Sequence, residues 1–162
     1  MMGGGYFEGG NITPTAEFNI YVDPHAANTV LRCGRPIVMM PLDVTHKALM
    51  KRKWLEGLRD MGSAIGDAAY GMMSFYERFD LEKYGSNGGP LHDPTVIAYL
   101  LKPELFEGRD VNVEIEIQSN LTLGMTVVDW WNVTDRKPNV TYMNKINSDG
   151  FFQLILDRLS LL

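Results

Sequence analysis

Two short islands carry the side chains best suited to chemistry, Ala16-Glu17-Phe18-Asn19 and Gly89-Pro90-Leu91-His92-Asp93-Pro94. Their carboxylate, amide and imidazole groups are costly to bury unless something binds them. In an extended segment Glu17 and Asn19 share one face. A carboxylate beside an amide offers acceptors and donors to sugar hydroxyls; the alternative is a surface turn. His92 could serve as a general acid near neutral pH. Asp93 could ligate a hard cation or accept a hydroxyl hydrogen bond. The structural alternative makes Asp93 an N-cap, Pro94 the first helical residue and His92 a packed neighbour. A glycine-rich run, Gly3-Gly4-Gly5 and Gly9-Gly10-Asn11, precedes the first island and lets backbone approach a ligand closely. Together these features suggest a grip on a polyhydroxylated small molecule.

Other polar clusters point elsewhere. In Asp43-Val44-Thr45-His46, Asp43 or Thr45 is expected to cap the helix that follows. Nothing has zinc-site spacing, a phosphate-loop signature or a nucleophile elbow. Cys33 is the single cysteine, so no internal disulfide exists and a reducing, cytoplasmic setting is expected. The net charge of -5 argues against nucleic acid, which demands clustered Lys and Arg. No apolar run has the length of a membrane span. A chain of 162 residues suits one domain, 1–162, with a real core.

The elements that must position these residues are readable in outline. Residues 1–20 read as a loop. Asp23-Pro24 starts a helix over 24–32, closed by Gly34. Ile37 to Met40 reads as a buried strand. Apolar positions from Trp54 to Phe79 repeat at threes and fours, a helical stripe that Gly62 divides in two, with Met61, Met72 and Phe75 packing the core. Residues 80–91 read as loop and Pro94 to Leu101 as helix. Val111, Val113, Ile115 and Ile117 alternate with polar residues in one strand. A tight turn at Ser119-Asn120 leads to its hairpin partner through Leu121, Leu123, Met125 and Val127. A third strand covers 139–146. Ser148 caps a final helix whose Phe151, Ile155, Leu159 and Leu162 face inward. The fold class is α/β, with helices and a late antiparallel hairpin.

Several blocks, in order along the chain, resemble the inosine-uridine preferring nucleoside hydrolases. They are Met2-Gly3-Gly4-Gly5, then Gly10-Asn11-Ile12-Thr13-Pro14-Thr15-Ala16-Glu17-Phe18-Asn19-Ile20, then Asp23-Pro24 and Ala26-Ala27. Leu42-Asp43-Val44-Thr45-His46, Tyr84-Gly85 and Gly89-Pro90-Leu91-His92-Asp93-Pro94 follow. The resemblance implies cleavage of the N-glycosidic bond of ribonucleosides to ribose and free base, by dimers or tetramers. It implies a bound Ca²⁺ that holds the attacking water and the ribose 2′- and 3′-hydroxyls. Asn11 and Glu17 would hold the 5′-hydroxyl, Asn19 the 2′,3′ side, and Phe18 and Met2 would pack near the sugar. Asp93 would ligate the metal and contact ribose, and His92 would protonate the departing base. Tyr84 matches a tyrosine that pyrimidine-preferring members place near the base, whereas Asp80 departs from their glutamine.

One departure is larger. The family's calcium site is built chiefly from an aspartate-rich motif near its N-terminus, and no two aspartates here lie within five positions. Asp93 alone cannot satisfy Ca²⁺, which takes roughly six to eight oxygens. The expectation is therefore the C-terminal portion of a nucleoside hydrolase, with the remaining ligands and the first strands of the sheet outside this chain and a sheet edge left exposed. The rival expectation is a catalytically inactive remnant that binds a ribose-like ligand or a partner.

Overall fold

A computed structural model describes residues 1–84 and 88–162, with the side chains of 76–84 outside the description. The chain forms two compact units, Met1–Thr45 with Phe106–Lys145, and His46–Leu105 with Ile146–Leu162.

The first unit is built on five strands: β1 (Val38–Met39), β2 (Phe106–Val111), β3 (Val113–Ile115), β4 (Thr126–Val128) and β5 (Val140–Ile146). One sheet has the order β1-β5-β2, and β3 pairs with β4 in a second. β1 runs parallel to β5, with Val38 opposite Thr141 and Met39 opposite Tyr142. The other edge of β1 is not bare. Met40 N–H donates to the Met1 carbonyl at 2.9 Å and Gly3 N–H to the Met40 carbonyl at 3.1 Å, so the first residues run alongside it. Ile20, Leu31, Met39, Val113, Val140 and Tyr142 are among the buried residues of this core.

Three helices belong to this unit: α1 (Phe18–Val22), α2 (Pro24–Leu31) and α3 (Leu42–Thr45). α2 starts as the sequence predicts, since Asp23 Oδ1 accepts Ala26 N–H at 2.8 Å and Pro24 opens the helix. The long alternating strand does not form as one. Asn112 interrupts it, donating from its amide to the Lys137 carbonyl at 3.0 Å, and the chain passes from one sheet to the other. The hairpin strands are also shorter than the apolar alternation suggests, Val113–Ile115 pairing with Thr126–Val128 and the last bonds joining Glu116 to Met125 and Gly124. Glu116 Oε1 explains this by accepting Gln118 N–H at 2.7 Å and Ser119 N–H at 3.1 Å, which curls the chain out of the strand. Leu121 is thereby left 86% exposed in a turn.

The second unit holds α4 (Arg52–Asp60), α5 (Ala64–Tyr84), α6 (Pro94–Leu101), a 3-10 turn (Pro103–Leu105) and α7 (Ser148–Leu159). Gly62, at φ +62°, separates α4 from α5 as expected. α5 runs on to Tyr84 rather than ending near Phe79, because no glycine or proline intervenes before Gly85. Met72 and Phe75, expected in the core, are 62% and 59% exposed, although α5 packs on α4. α6 has the predicted bounds. The cap of α7 is Asn147 rather than Ser148, its Oδ1 accepting Gly150 N–H at 3.0 Å. Phe151, Phe152 and Leu154 form its buried face, and Leu162 lies beyond the helix end, exposed. Trp54 stacks on Phe152 at 5.7 Å between ring centroids.

Candidate active site

Glu17 organises the site residues of the first unit. Its segment is not extended, because Phe18 begins a helix and Glu17 is the N-cap. Oε1 accepts Asn19 N–H at 2.9 Å, and Oε2 accepts Ile20 N–H at 3.3 Å. A helix start leaves such donors without partners, and the carboxylate satisfies them. Oε2 also accepts Gly4 N–H at 2.9 Å, which ties the glycine-rich segment to α1. Glu17 is 2% exposed, so a surface turn is excluded.

Four further predicted residues gather around this cap. Asn11 Oδ1 accepts Phe18 N–H at 2.8 Å. The Asn19 amide donates to Met2 Sδ at 3.2 Å. Phe18 is 52% exposed and Asn19 is also exposed, so a ring and an amide stand beside each other over a buried carboxylate. Met2, Asn11, Glu17, Phe18 and Asn19 thus form one connected cluster. The glycines make it possible. Gly4 has φ +80°, and a Cβ there would stand 2.6 Å from Met39 Cε and 2.8 Å from Thr126 Oγ1.

Asp43 does not cap a following helix. It is 2% exposed and accepts Tyr6 N–H at 2.9 Å and Glu8 N–H at 2.7 Å. The Tyr142 hydroxyl also donates to it. Sequence reasoning missed this role because the partners lie 35 to 99 positions away. The available signal was a carboxylate placed directly after an apolar strand.

The second unit places His92 and Asp93 on a hydrogen-bonded approach to α6. Met50 N–H donates to the Gly89 carbonyl and Leu91 N–H to the Ala48 carbonyl, both at 2.9 Å, and Leu49 bridges to Pro90. The His92 carbonyl accepts the Thr95 hydroxyl at 2.6 Å and Thr95 N–H at 3.1 Å. Asp93 stands at the N-cap position before Pro94, as the structural alternative has it, but its backbone is helical and its side chain makes no capping bond; Thr95 bonds to the His92 carbonyl instead. The Asp93 side chain is exposed. The His92 ring meets the edge of His46 with centroids 5.8 Å apart. Burial first, then the charge of His46, push the His92 pKa down to about 4, with Asp93 pulling it up. Tyr84 ends α5, but its side chain lies outside the described residues, as does Gly85.

No three His, Cys, Asp or Glu side chains converge to hold a metal among the described residues. Asp93 supplies one carboxylate, and Ca²⁺ takes roughly six to eight oxygens. The described residues do not by themselves fit that ion.

A mixed α/β chain with this ordered set of polar residues has the fold of a nucleoside hydrolase. It superposes on the purine-preferring ribonucleoside hydrolase of Gardnerella vaginalis with a TM-score of 0.87 and 28% identity, covering 98% of this chain and 50% of that one. The chain belongs to the inosine-uridine preferring nucleoside hydrolase family, whose model matches residues 1–153. It is 47% identical over 158 residues to the pyrimidine-specific ribonucleoside hydrolase RihA of Enterobacter sp., covering 97% of this chain and 50% of that protein. An uncharacterized protein of Schizosaccharomyces pombe is 47% identical over 159 residues, covering 98% and 51%. The chain spans about half the length of the curated relatives it matches. Among the described residues, no helix is long and apolar enough to cross a membrane.

Proposed function

We propose that this chain supplies the sugar-recognising cluster and the leaving-group acid of a nucleoside N-ribohydrolase. The reaction is a ribonucleoside plus water giving ribose and free base. The observation that carries the reading is the connected cluster of Met2, Asn11, Glu17, Phe18 and Asn19, in which an exposed Asn19 amide and an exposed Phe18 ring stand over the buried Glu17 carboxylate.

The chemistry follows from what must move. The C1′–N bond breaks and C1′ gains positive charge; a water oxygen bonds to C1′ and loses a proton. The base is a poor leaving group as an anion, so a proton delivered to it lowers the barrier. His92 is the candidate donor. Its low pKa leaves the ring neutral near pH 7 in this chain. An acid role there needs more negative charge beside the ring than Asp93 alone provides. Glu17 orders the cluster through backbone N–H groups, and Asn19 and Phe18 present the exposed contacts. Asp93 is proposed as one ligand of a Ca²⁺ whose other ligands come from outside this chain. Similarity to relatives half matched in length supports that division.

Pyrimidine ribonucleosides are the favoured substrates, on the 47% identity to a relative named pyrimidine-specific. Uridine is therefore the first substrate to offer, with ribose scored as reducing sugar and uracil by chromatography. Equal release of both, abolished by a calcium chelator, supports the reading. Release by the 162-residue chain alone in chelator contradicts the metal role. Ribose binding without release in every form of the protein favours the second reading, a sugar-binding remnant.

A further inference from the structure

The glycine-rich segment that delivers Asn11 is held mainly by groups far away in sequence. Tyr6 N–H reaches Asp43 Oδ2 at 2.9 Å and Glu8 N–H reaches Oδ1 at 2.7 Å. Both carboxylate oxygens are thereby engaged by the segment. Oδ2 also receives the hydroxyl of Tyr142, a residue 0% exposed on the middle strand of the three-stranded sheet. Burial, then the charge of Asp43, raise the Tyr142 pKa, so its hydroxyl keeps the proton it donates. The same stretch is held by its side chains. Phe7 meets the edge of Trp130 at 5.3 Å, and Trp130 meets Tyr142 at 6.2 Å. Arg109 lies over the Trp130 ring at 4.1 Å.

We propose that Asp43 and Tyr142 are positioning residues for recognition of the sugar 5′-hydroxyl. They fix residues 6–8 to the sheet, and Gly9 and Gly10 then hand Asn11 to its place beneath Phe18. The proposal rests on the proposed function, with Asn11 taken as the partner of that hydroxyl and Glu17 ordering the backbone around it. Neither Asp43 nor Tyr142 touches the sugar. Gly10 N–H to the Pro14 carbonyl at 3.2 Å and Asn11 N–H to the Ala16 carbonyl at 3.1 Å hold this stretch locally. Asp43 and Tyr142 add its tether to the sheet, and without that tether the alignment of Asn11 with Phe18 N–H loosens.

Tyr142→Phe removes one donor and keeps the ring that packs on Trp130. Amide hydrogen exchange on the full chain, followed by NMR, reads the clamp independently of activity. Exchange at Tyr6, Glu8 and Phe18 should rise about tenfold, the scale of one lost hydrogen bond. Thr141 N–H, bonded to the Ile37 carbonyl at 2.8 Å in the same sheet, serves as control and should not change. In the active protein, the ratio of kcat/KM for uridine to that for 5′-deoxyuridine should fall about tenfold. Asp43→Asn should do the same or more, because its amide would face N–H donors; if it does not fold, Tyr142→Phe decides. Unchanged exchange at Tyr6 and Glu8, or an equal rise at Thr141, overturns the proposal. So does loosening at Tyr6 and Glu8 that leaves Phe18 protected, or an unchanged substrate ratio. If the unmutated protein hydrolyses no nucleoside, the proposed function fails, and the three amides still decide whether the clamp positions Asn11.

Discussion

Glu17 joins Gly4 across 13 positions through a 2.9 Å hydrogen bond while its other oxygen caps α1. One carboxylate therefore fixes both the start of a helix and a backbone that only glycine can follow. This couples the shape of the cluster proposed to bind sugar to a group 2% exposed.

Glu17→Gln tests that coupling. The amide keeps the size but turns one acceptor into a donor that faces backbone N–H groups. Leaving a buried hydrogen-bonding group unmatched costs about 1–3 kcal/mol. Urea unfolding should show a loss in that range with the m-value unchanged. A loss below about 0.5 kcal/mol would mean that Glu17 does not hold the segment as described.

Asp93→Ala tests the metal role. Asp93 makes no capping bond to α6, and its side chain is exposed, so its removal should spare the fold. Thermal unfolding of the variant should match the parent within about 0.5 kcal/mol. Calcium affinity of the active protein, measured by titration calorimetry, should fall about tenfold or more with the loss of a charged ligand. Unchanged affinity would remove Asp93 from the ligand set.

A pH prediction comes from the turn after β4. Asp129 accepts the Thr134 hydroxyl at 2.6 Å and the N–H groups of Val133 and Thr134 at 2.8 and 2.9 Å. These bonds, that from the Thr134 hydroxyl foremost, hold its carboxyl below the usual value. A depressed carboxyl pKa stabilises the fold above the unfolded value of about 3.9 and stops doing so as pH falls through the folded one. Asp129→Asn should therefore be less stable than the parent at pH 7, with the gap closing below about pH 4. A gap constant from pH 7 down to about pH 2 would contradict the assignment.

Several helix starts and breaks were legible from local signals in the sequence. Asp23-Pro24, the break at Gly62 and the helix from Pro94 to Leu101 each follow from a few adjacent residues, and each forms as expected. The α/β class and the family were legible for the same reason, because short motifs stand in order. Features set by distant hydrogen bonds were not. Asn112 breaks a perfect alternation by bonding to Lys137, and Asp43 leaves its expected cap for partners in the glycine-rich segment and β5. The helix at Phe18 was missed because its cap is a glutamate, a residue outside the usual Ser, Thr, Asp and Asn set. Of the candidate site residues, Glu17 and Asn19 stood out by type and Met2, Asn11 and Phe18 by the resemblance, and hydrogen bonds join them; the role of Tyr142 depended on β5 lying in the middle of its sheet.

The central claim is acid-assisted cleavage of an N-glycosidic bond, and leaving-group dependence tests it most directly. kcat/KM should be measured for the parent protein and His92→Ala on uridine and on 4-nitrophenyl riboside, whose leaving group needs no proton. The account predicts a fall of about 100-fold or more on uridine and only a few-fold on the nitrophenyl substrate. Equal losses on the two substrates would contradict it.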